Sequence, residues 1–194
     1  MPERSSRQLE LLDALEAVYL REGFRALGVG ELATRLACSR RTLYELAPSK
    51  DALFLRVLDR FLARIRALGQ DRVAKTSDPR EQVEALLEPG IRETRGASAA
   101  FTADVDAFPA ARRLLDRHQR ERMALLREVV ERGVREGVFR GVHAELVAEV
   151  MLAAVQRVRD PALLRRAGLS MADAFEECSR LIRHGLLHPD SGRR

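Results

Sequence analysis

The stretch VGELATRLACSRRTLYELAPSKD, residues 29–51, folds two short helices and the start of a third into one compact run. Leu32, Ala33 and Leu36 recur at helical spacing, so a first short helix can bury that face. Ala37 and Cys38 form a tight corner. Ser39 then stands where its hydroxyl can accept a hydrogen bond from a free amide one turn on, which starts a second helix through Arg40-Arg41-Thr42-Leu43-Tyr44. Leu43 turns inward, and Arg40, Arg41, Thr42 and Tyr44 face out. Pro48 interrupts, Ser49 caps again, and Lys50 and Asp51 open a third helix. The unit is a helix-turn-helix with basic and hydroxyl groups on its second helix.

Such a helix fits the major groove of DNA, where arginine offers two parallel donors to the acceptors of guanine. Ser39, Thr42, Tyr44 and Lys50 are groups that hold phosphates and so fix register without reading sequence. The segment resembles the DNA-binding part of the tetracycline-repressor (TetR) family of transcriptional regulators. That family's marks stand here as Gly23-Phe24, Val29, Leu32-Ala33, Ser39, Thr42-Leu43-Tyr44 and Ser49-Lys50, over roughly the first quarter of the chain. Three positions depart from its pattern: Ala37 and Arg41 replace glycines, and Ala47 replaces an aromatic residue before the proline. Ala37 predicts a corner made without positive φ. Arg41 adds a long cation, which makes the operator less transferable from relatives. The DNA-facing set is Gly28, Ser39, Arg40, Arg41, Thr42, Tyr44 and Lys50.

Working outward, residues 8–22 place Leu11, Leu12, Leu15, Val18 and Tyr19 on one helical face, with Gly23 able to end the helix in a left-handed conformation. Residues 1–7 are polar and read as frayed. Gly28-Val29-Gly30-Glu31-Leu32-Ala33 also matches the dinucleotide fingerprint G-x-G-x-x-A, but that motif needs a strand before it, and a helix stands there. A long helix from Ser49 to Val73 carries Leu53, Phe54, Val57, Leu58, Phe61, Leu62 and Ile65. Breaks at 76–79 and 96–98 separate it from a helix holding Val83, Leu86, Leu87 and Ile91. A short helix over 99–107, a long one over 109–136, one built on Val147, Val150, Met151, Ala154, Val155 and Val158, and one over 171–187 complete the chain.

The expected fold is all-α with about nine helices. It has an N-terminal three-helix helix-turn-helix domain over residues 1–50, an α-helical ligand-binding and dimerisation domain over 51–188, and a disordered tail over 189–194. Composition agrees: 46% of the 194 residues are hydrophobic, enough for a core, and only 5% are aromatic. The net charge of +5 is spread thinly, since residues 1–50 hold eight Lys or Arg against seven Asp or Glu. The local cluster of Arg35, Arg40, Arg41 and Lys50 therefore carries the nucleic-acid argument, rather than overall basicity.

The resemblance implies more. The last two long helices pair with those of a second subunit as a four-helix bundle, and each carries an apolar stripe broader than a monomer of this length covers. The homodimer presents two second helices to successive major-groove faces, so double-stranded DNA with a palindromic operator is the expected partner. The middle helices enclose a pocket for an unknown small-molecule effector, with Phe61, Leu87, Phe101, Val105, His118, Arg122 and Met123 as lining residues. Asp104 and Asp106 read as solvated. The resulting function is a repressor released from its operator by a ligand, with a helical small-molecule or lipid-binding module as the rival.

Other chemistries find little support. Cys38 and Cys178 are the only cysteines and read as small apolar fillers. His184 and His188 with Cys178 make a poor metal set lacking a fourth ligand. No triad order, phosphate-cradling loop or paired-carboxylate motif stands out, so neither enzyme activity nor a cofactor or metal is expected. No apolar run of about 18 residues and no signal-peptide core is seen, which predicts a cytoplasmic protein away from the membrane.

Overall fold

The computed structural model describes residues 2–186, and among them are ten helices and no strand. They are α1 (Pro2–Glu22), α2 (Val29–Arg35), α3 (Arg40–Leu46), α4 (Lys50–Ala74), α5 (Pro79–Thr94), α6 (Ala99–Ala107), α7 (Pro109–Arg135), α8 (Ala144–Arg157), α9 (Pro161–Ala167) and α10 (Met171–Leu186). The expected tail, and His188 of the metal set judged poor, lie outside the described residues.

Side-chain caps start most of these helices. Ser39 accepts from Thr42 N, Asp78 from Arg80 N, Ser98 from Phe101 N and Asp160 from Ala162 N. Each supplies an acceptor to an amide that the helix itself leaves free. Two elements differ from expectation. The first helix begins at Pro2, not Gln8. Proline has no amide hydrogen to leave unpaired there, and the Ser6 hydroxyl donates to Glu10 one turn on. Helix α9 was not expected at all. It has Asp160 as cap, Pro161 in its first turn and Gly168 at φ 68 closing it, but it buries no residue, so it leaves no apolar rhythm in the sequence.

The chain divides into two compact units: Met1–Arg64 with Gly96–Asp116, and Ile65–Arg95 with Arg117–Arg194. Helices α4 and α7 run through both. Unit 1 has an aromatic core. Phe24 and Phe54 stack at 3.9 Å between centroids, and Tyr19, Phe101 and Phe108 surround Phe54 at 5.5, 6.0 and 6.4 Å. Pairs at these separations add to simple area burial. Leu32, Leu43 and Leu46 are buried on α2 and α3 of the same unit.

Unit 2 has an aliphatic core that includes Leu86, Leu126, Val130 and Met151, joined by Phe139, whose ring covers Gly133 so closely that no Cβ would fit there. Buried Gln82 locks the α4–α5 connection by donating from Nε2 to the carbonyls of Val73 and Thr76. The inward face of α8 also differs from the expected stripe. Ala144, Ala148, Met151 and Val155 are buried, whereas Val150 points out. Small alanines fill that face, so the valine one position round the helix is not needed there.

Candidate nucleic-acid interface

Gly23 ends α1 at φ 78 and Gly28, in extended conformation, precedes α2. The corner between α2 and α3 turns at Ala37, whose φ is 48. The expectation of a corner without positive φ is thus overturned. The left-handed region is needed to close the turn, as shown by Cys38 N donating to Ala33 O, and Ala37 occupies it despite its Cβ.

Helix α3 buries Leu43 and Leu46 and exposes Arg40, Arg41 and Tyr44, with Thr42 half-buried. Tyr44 is 50% exposed, a large aromatic ring left in solvent. Ser39 is engaged: its Oγ accepts from Thr42 N at 3.0 Å and lies 2.8 Å from the Thr42 hydroxyl. These two hydroxyls form the corner at the base of α3.

The four cations of the cluster are in different states. Arg35 is neutralised by Glu22 and Glu31, each at 2.5 Å, and its hydrogen bond holds the Glu22 carboxyl below the usual carboxylate range. Arg41 pairs only with Glu45 on its own helix, at 3.2 Å, and remains almost wholly solvated. Lys50 donates from Nζ to Arg25 O at 3.0 Å and stands 5.5 Å from the Phe24 ring centroid. It ties the start of α4 to the turn after α1, so its substitution disturbs the fold as well as any phosphate contact. Arg40 lies across Gly30: a Cβ at that glycine would meet Nη2 at 2.5 Å and Nε and Cζ at 3.1 Å. Gly30 therefore leaves the space in which the Arg40 guanidinium rests, a role that local sequence pattern does not reveal.

Asp104 is another residue whose role sequence reasoning missed. Its Oδ2 accepts from Phe24 N at 2.7 Å and Arg25 N at 3.0 Å, and its carboxylate faces Arg25 Nε at 3.8 Å. It is a brace under the turn after α1, not a solvated charge. Ser98 N donating to Leu20 O adds a second tie. Helix α6 is thereby fastened to the helix-turn-helix within unit 1.

The expected effector residues fall in both units. Phe61 and Phe101 meet edge to face at 6.3 Å, and with buried Val105 they are filled core of unit 1. Leu87 and Met123 belong to the aliphatic core of unit 2, and Leu87 also lines a cavity of about 170 Å³ between α5 and α10. His118 is buried on α7, and Arg122 one turn later donates to Leu86 O. Both cysteines are half-buried, and burial pushes both thiols up, away from the reactive thiolate. No described helix is long and apolar enough to cross a membrane.

Residues 11–57 match the model for bacterial regulatory proteins of the tetR family, and residues 80–180, just over half of the chain, match that for the tetracyclin repressor-like C-terminal domain. The HTH-type transcriptional activator FasR of Mycolicibacterium smegmatis is 32% identical over 85 residues, which are 44% of this chain and 39% of that protein. The HTH-type transcriptional repressor KstR2 of Mycobacterium tuberculosis is 27% identical over 142 residues, 70% of each. The match thus spans about two fifths of the first of these relatives. A regulator from Saccharomonospora viridis, crystallised with choline, superposes with a TM-score of 0.76 at 19% identity over 95% of this chain and 99% of that one. A TetR transcription regulator from Haloarcula marismortui superposes equally well, at 20% identity over 95% and 100%. At such identities the likeness is one of fold.

Proposed function

This chain belongs to the tetR family of bacterial regulatory proteins, and from that premise we propose that it is a dimeric, sequence-specific DNA-binding regulator, a repressor released from a palindromic operator by a small-molecule effector. The functional division falls after residue 50, with DNA contacts before it and effector binding and dimerisation after it. The observation that carries this reading is α3: two leucines anchor it while Arg40, Arg41 and half of the Tyr44 ring stand in solvent. In the proposed complex Arg40, Arg41 and Thr42 reach base edges or adjoining phosphates, and Gly28, Ser39, Tyr44 and Lys50 hold the backbone.

The dimer is proposed through α8 and α10. Leu146, Val150 and Leu181 are 62%, 52% and 71% exposed there, three large aliphatic side chains on helices that pack together. Such a patch supports a self-complementary interface. The effector is proposed to meet unit 2 near Leu87, His118, Arg122 and Met123. It acts by preferring one of two arrangements of the protein, and its effect on DNA affinity equals that preference.

The test is binding of pooled, sheared genomic DNA by the wild-type chain, Arg41→Ala and Tyr44→Ala, across a salt series. Arg41 is the better probe than Lys50, because removing it costs only an exposed pair within α3, whereas Lys50 ties α4 to the turn after α1. The regulator reading expects both variants to bind more weakly and wild-type affinity to fall steeply with salt as phosphate contacts release counterions. Unchanged affinity in both variants would favour a helical small-molecule or lipid-binding module without functional DNA binding.

A further inference from the structure

Helix α7 buries polar groups that find no hydrogen-bond partner among the described residues. His118 is 5% exposed with Nδ1 unpaired; Gln119, the next residue, is 4% exposed with Oε1 unpaired. One turn beyond His118, the Arg122 side chain is half-buried in unit 2, and burial lowers its guanidinium to about 10, so it stays charged at neutral pH. Among the described residues no carboxylate pairs with it. Its one hydrogen bond goes to a neutral acceptor, the Leu86 carbonyl of α5. A charge drawn partly out of water and given only a backbone dipole as protein partner is costly.

The place where Arg122 docks is a weak point of α5. Pro89 stands inside that helix and has no amide to donate. Gly90 follows, and a Cβ there would meet Arg122 Nη1 at 2.7 Å and Nη2 at 3.1 Å. The guanidinium thus fills the space glycine leaves and donates to the Leu86 carbonyl, next to the Ala85 carbonyl that Pro89 leaves without its usual donor. Bracing of this kind calls for a donor, but it does not call for a formal charge beside a histidine that burial, Arg122 and Arg66 together hold neutral, down to about 3. Arg66 itself is already paired, with Glu121. One cation is therefore uncompensated, and one neutral imidazole beside it has a free ring nitrogen.

Resting on the effector-responsive reading above, we infer that Arg122 and His118 are the polar end of the effector site and recognise a monocarboxylate with an apolar body, which draws the guanidinium from the Leu86 carbonyl and loosens α5 at Pro89–Gly90. A single negative charge matches the single unpaired cation, so a phosphate dianion would leave charge unbalanced. A carboxylate offers Arg122 two oxygens for its parallel donors and can accept from a His118 Nδ1–H. The apolar body follows from the space beside Leu86, the residue whose carbonyl Arg122 holds, which lines a cavity of about 400 Å³ with Val73, Leu125 and Val129. A quaternary ammonium would meet like charge here.

The experiment is calorimetric titration of the full chain, without DNA, with decanoate, 4-phenylbutyrate, the amide of each, and decyltrimethylammonium. At least one carboxylate is expected to bind about tenfold or more tighter than its own amide, with the ammonium weakest. That ratio should fall to near one in Arg122→Gln. Should this variant fail to fold by circular dichroism, His118→Phe, an apolar ring in an apolar setting, should still lose several-fold in carboxylate affinity and little in amide affinity. Amides binding as well as acids, preference for the ammonium, no binding by either carboxylate, or selectivity intact in the folded variants would each overturn the inference. Because DNA is absent, these results are independent of whether the chain regulates transcription. A chain that selects carboxylates but retains no genomic DNA would sink the regulator reading alone.

Discussion

The two units differ in how fully they satisfy their buried polar groups. In unit 1, segments distant in sequence are tied by side chains: Asp104 holds the amides of Phe24 and Arg25, Lys50 holds the Arg25 carbonyl, and Arg64 grips buried Glu16 with two donors at 2.5 and 2.9 Å. The Tyr19 hydroxyl is its exception, buried without a partner among the described residues, and burial pushes that phenol far up. In unit 2 the core is aliphatic, and Gln82 Oε1, His118 Nδ1 and Gln119 Oε1 find no partner among the described residues. Unsatisfied buried groups carry a cost that native proteins rarely accept without cause. On the proposed function, a unit that must hold α3 at a fixed angle to DNA is pinned, and a unit that must admit a ligand keeps unmet polar groups for it.

That contrast can be broken at several points. The largest effect is expected at Phe54, fully buried and in contact with four other rings: Phe54→Ala should lower unfolding free energy by about 3–5 kcal/mol. Denaturant melts measure it, and a loss below about 1 kcal/mol would mean that the ring cluster is not the support of unit 1. Asp104→Ala comes next, at about 2–3 kcal/mol, because two amides lose a charged acceptor. The same change should weaken DNA binding, since the turn before α2 would no longer be held; DNA affinity equal to wild type would detach α6 from that role.

Unit 2 is probed by pH. The folded chain holds His118 down to about 3, well under its ordinary value of 6.5. Below 6.5 the unfolded chain therefore binds a proton that the folded chain refuses. Stability from this group is fully present above that value and is lost as pH falls from there toward 3. Between pH 7.5 and pH 5 the loss should reach roughly 2 kcal/mol, and His118→Phe should abolish that share of the pH dependence. Identical pH profiles in the two proteins would show that the imidazole is not held neutral. The smallest effect is at Ala37. Replacing it with glycine should stabilise the chain by about 0.5–1 kcal/mol, as relief of the left-handed Cβ outweighs the added backbone freedom. A fall in melting temperature would contradict the φ of 48.

What the sequence made legible was local. Caps at Ser39 and Ser49 and the buried leucines of α2 and α3 act over one helical turn, so spacing alone reveals them. Asp104 and Lys50 escaped because their partners lie 80 and 25 residues away, where no periodic pattern reaches. The same holds for Gly30, whose purpose appears only with Arg40 folded over it. Helix α9 had its cap, its proline and its closing glycine in plain view, but no buried face to announce it. On α8 both faces are apolar, and hydrophobic rhythm could not tell that alanines go in and Val150 out.

The most direct test of the dimeric regulator is selection of bound fragments from genomic DNA at near-physiological salt, followed by footprinting of the enriched sites. The account predicts an inverted repeat protected in two half-sites one or more helical turns apart, with two chains bound. Enriched sites without twofold symmetry, or no enrichment over bulk DNA, would contradict it.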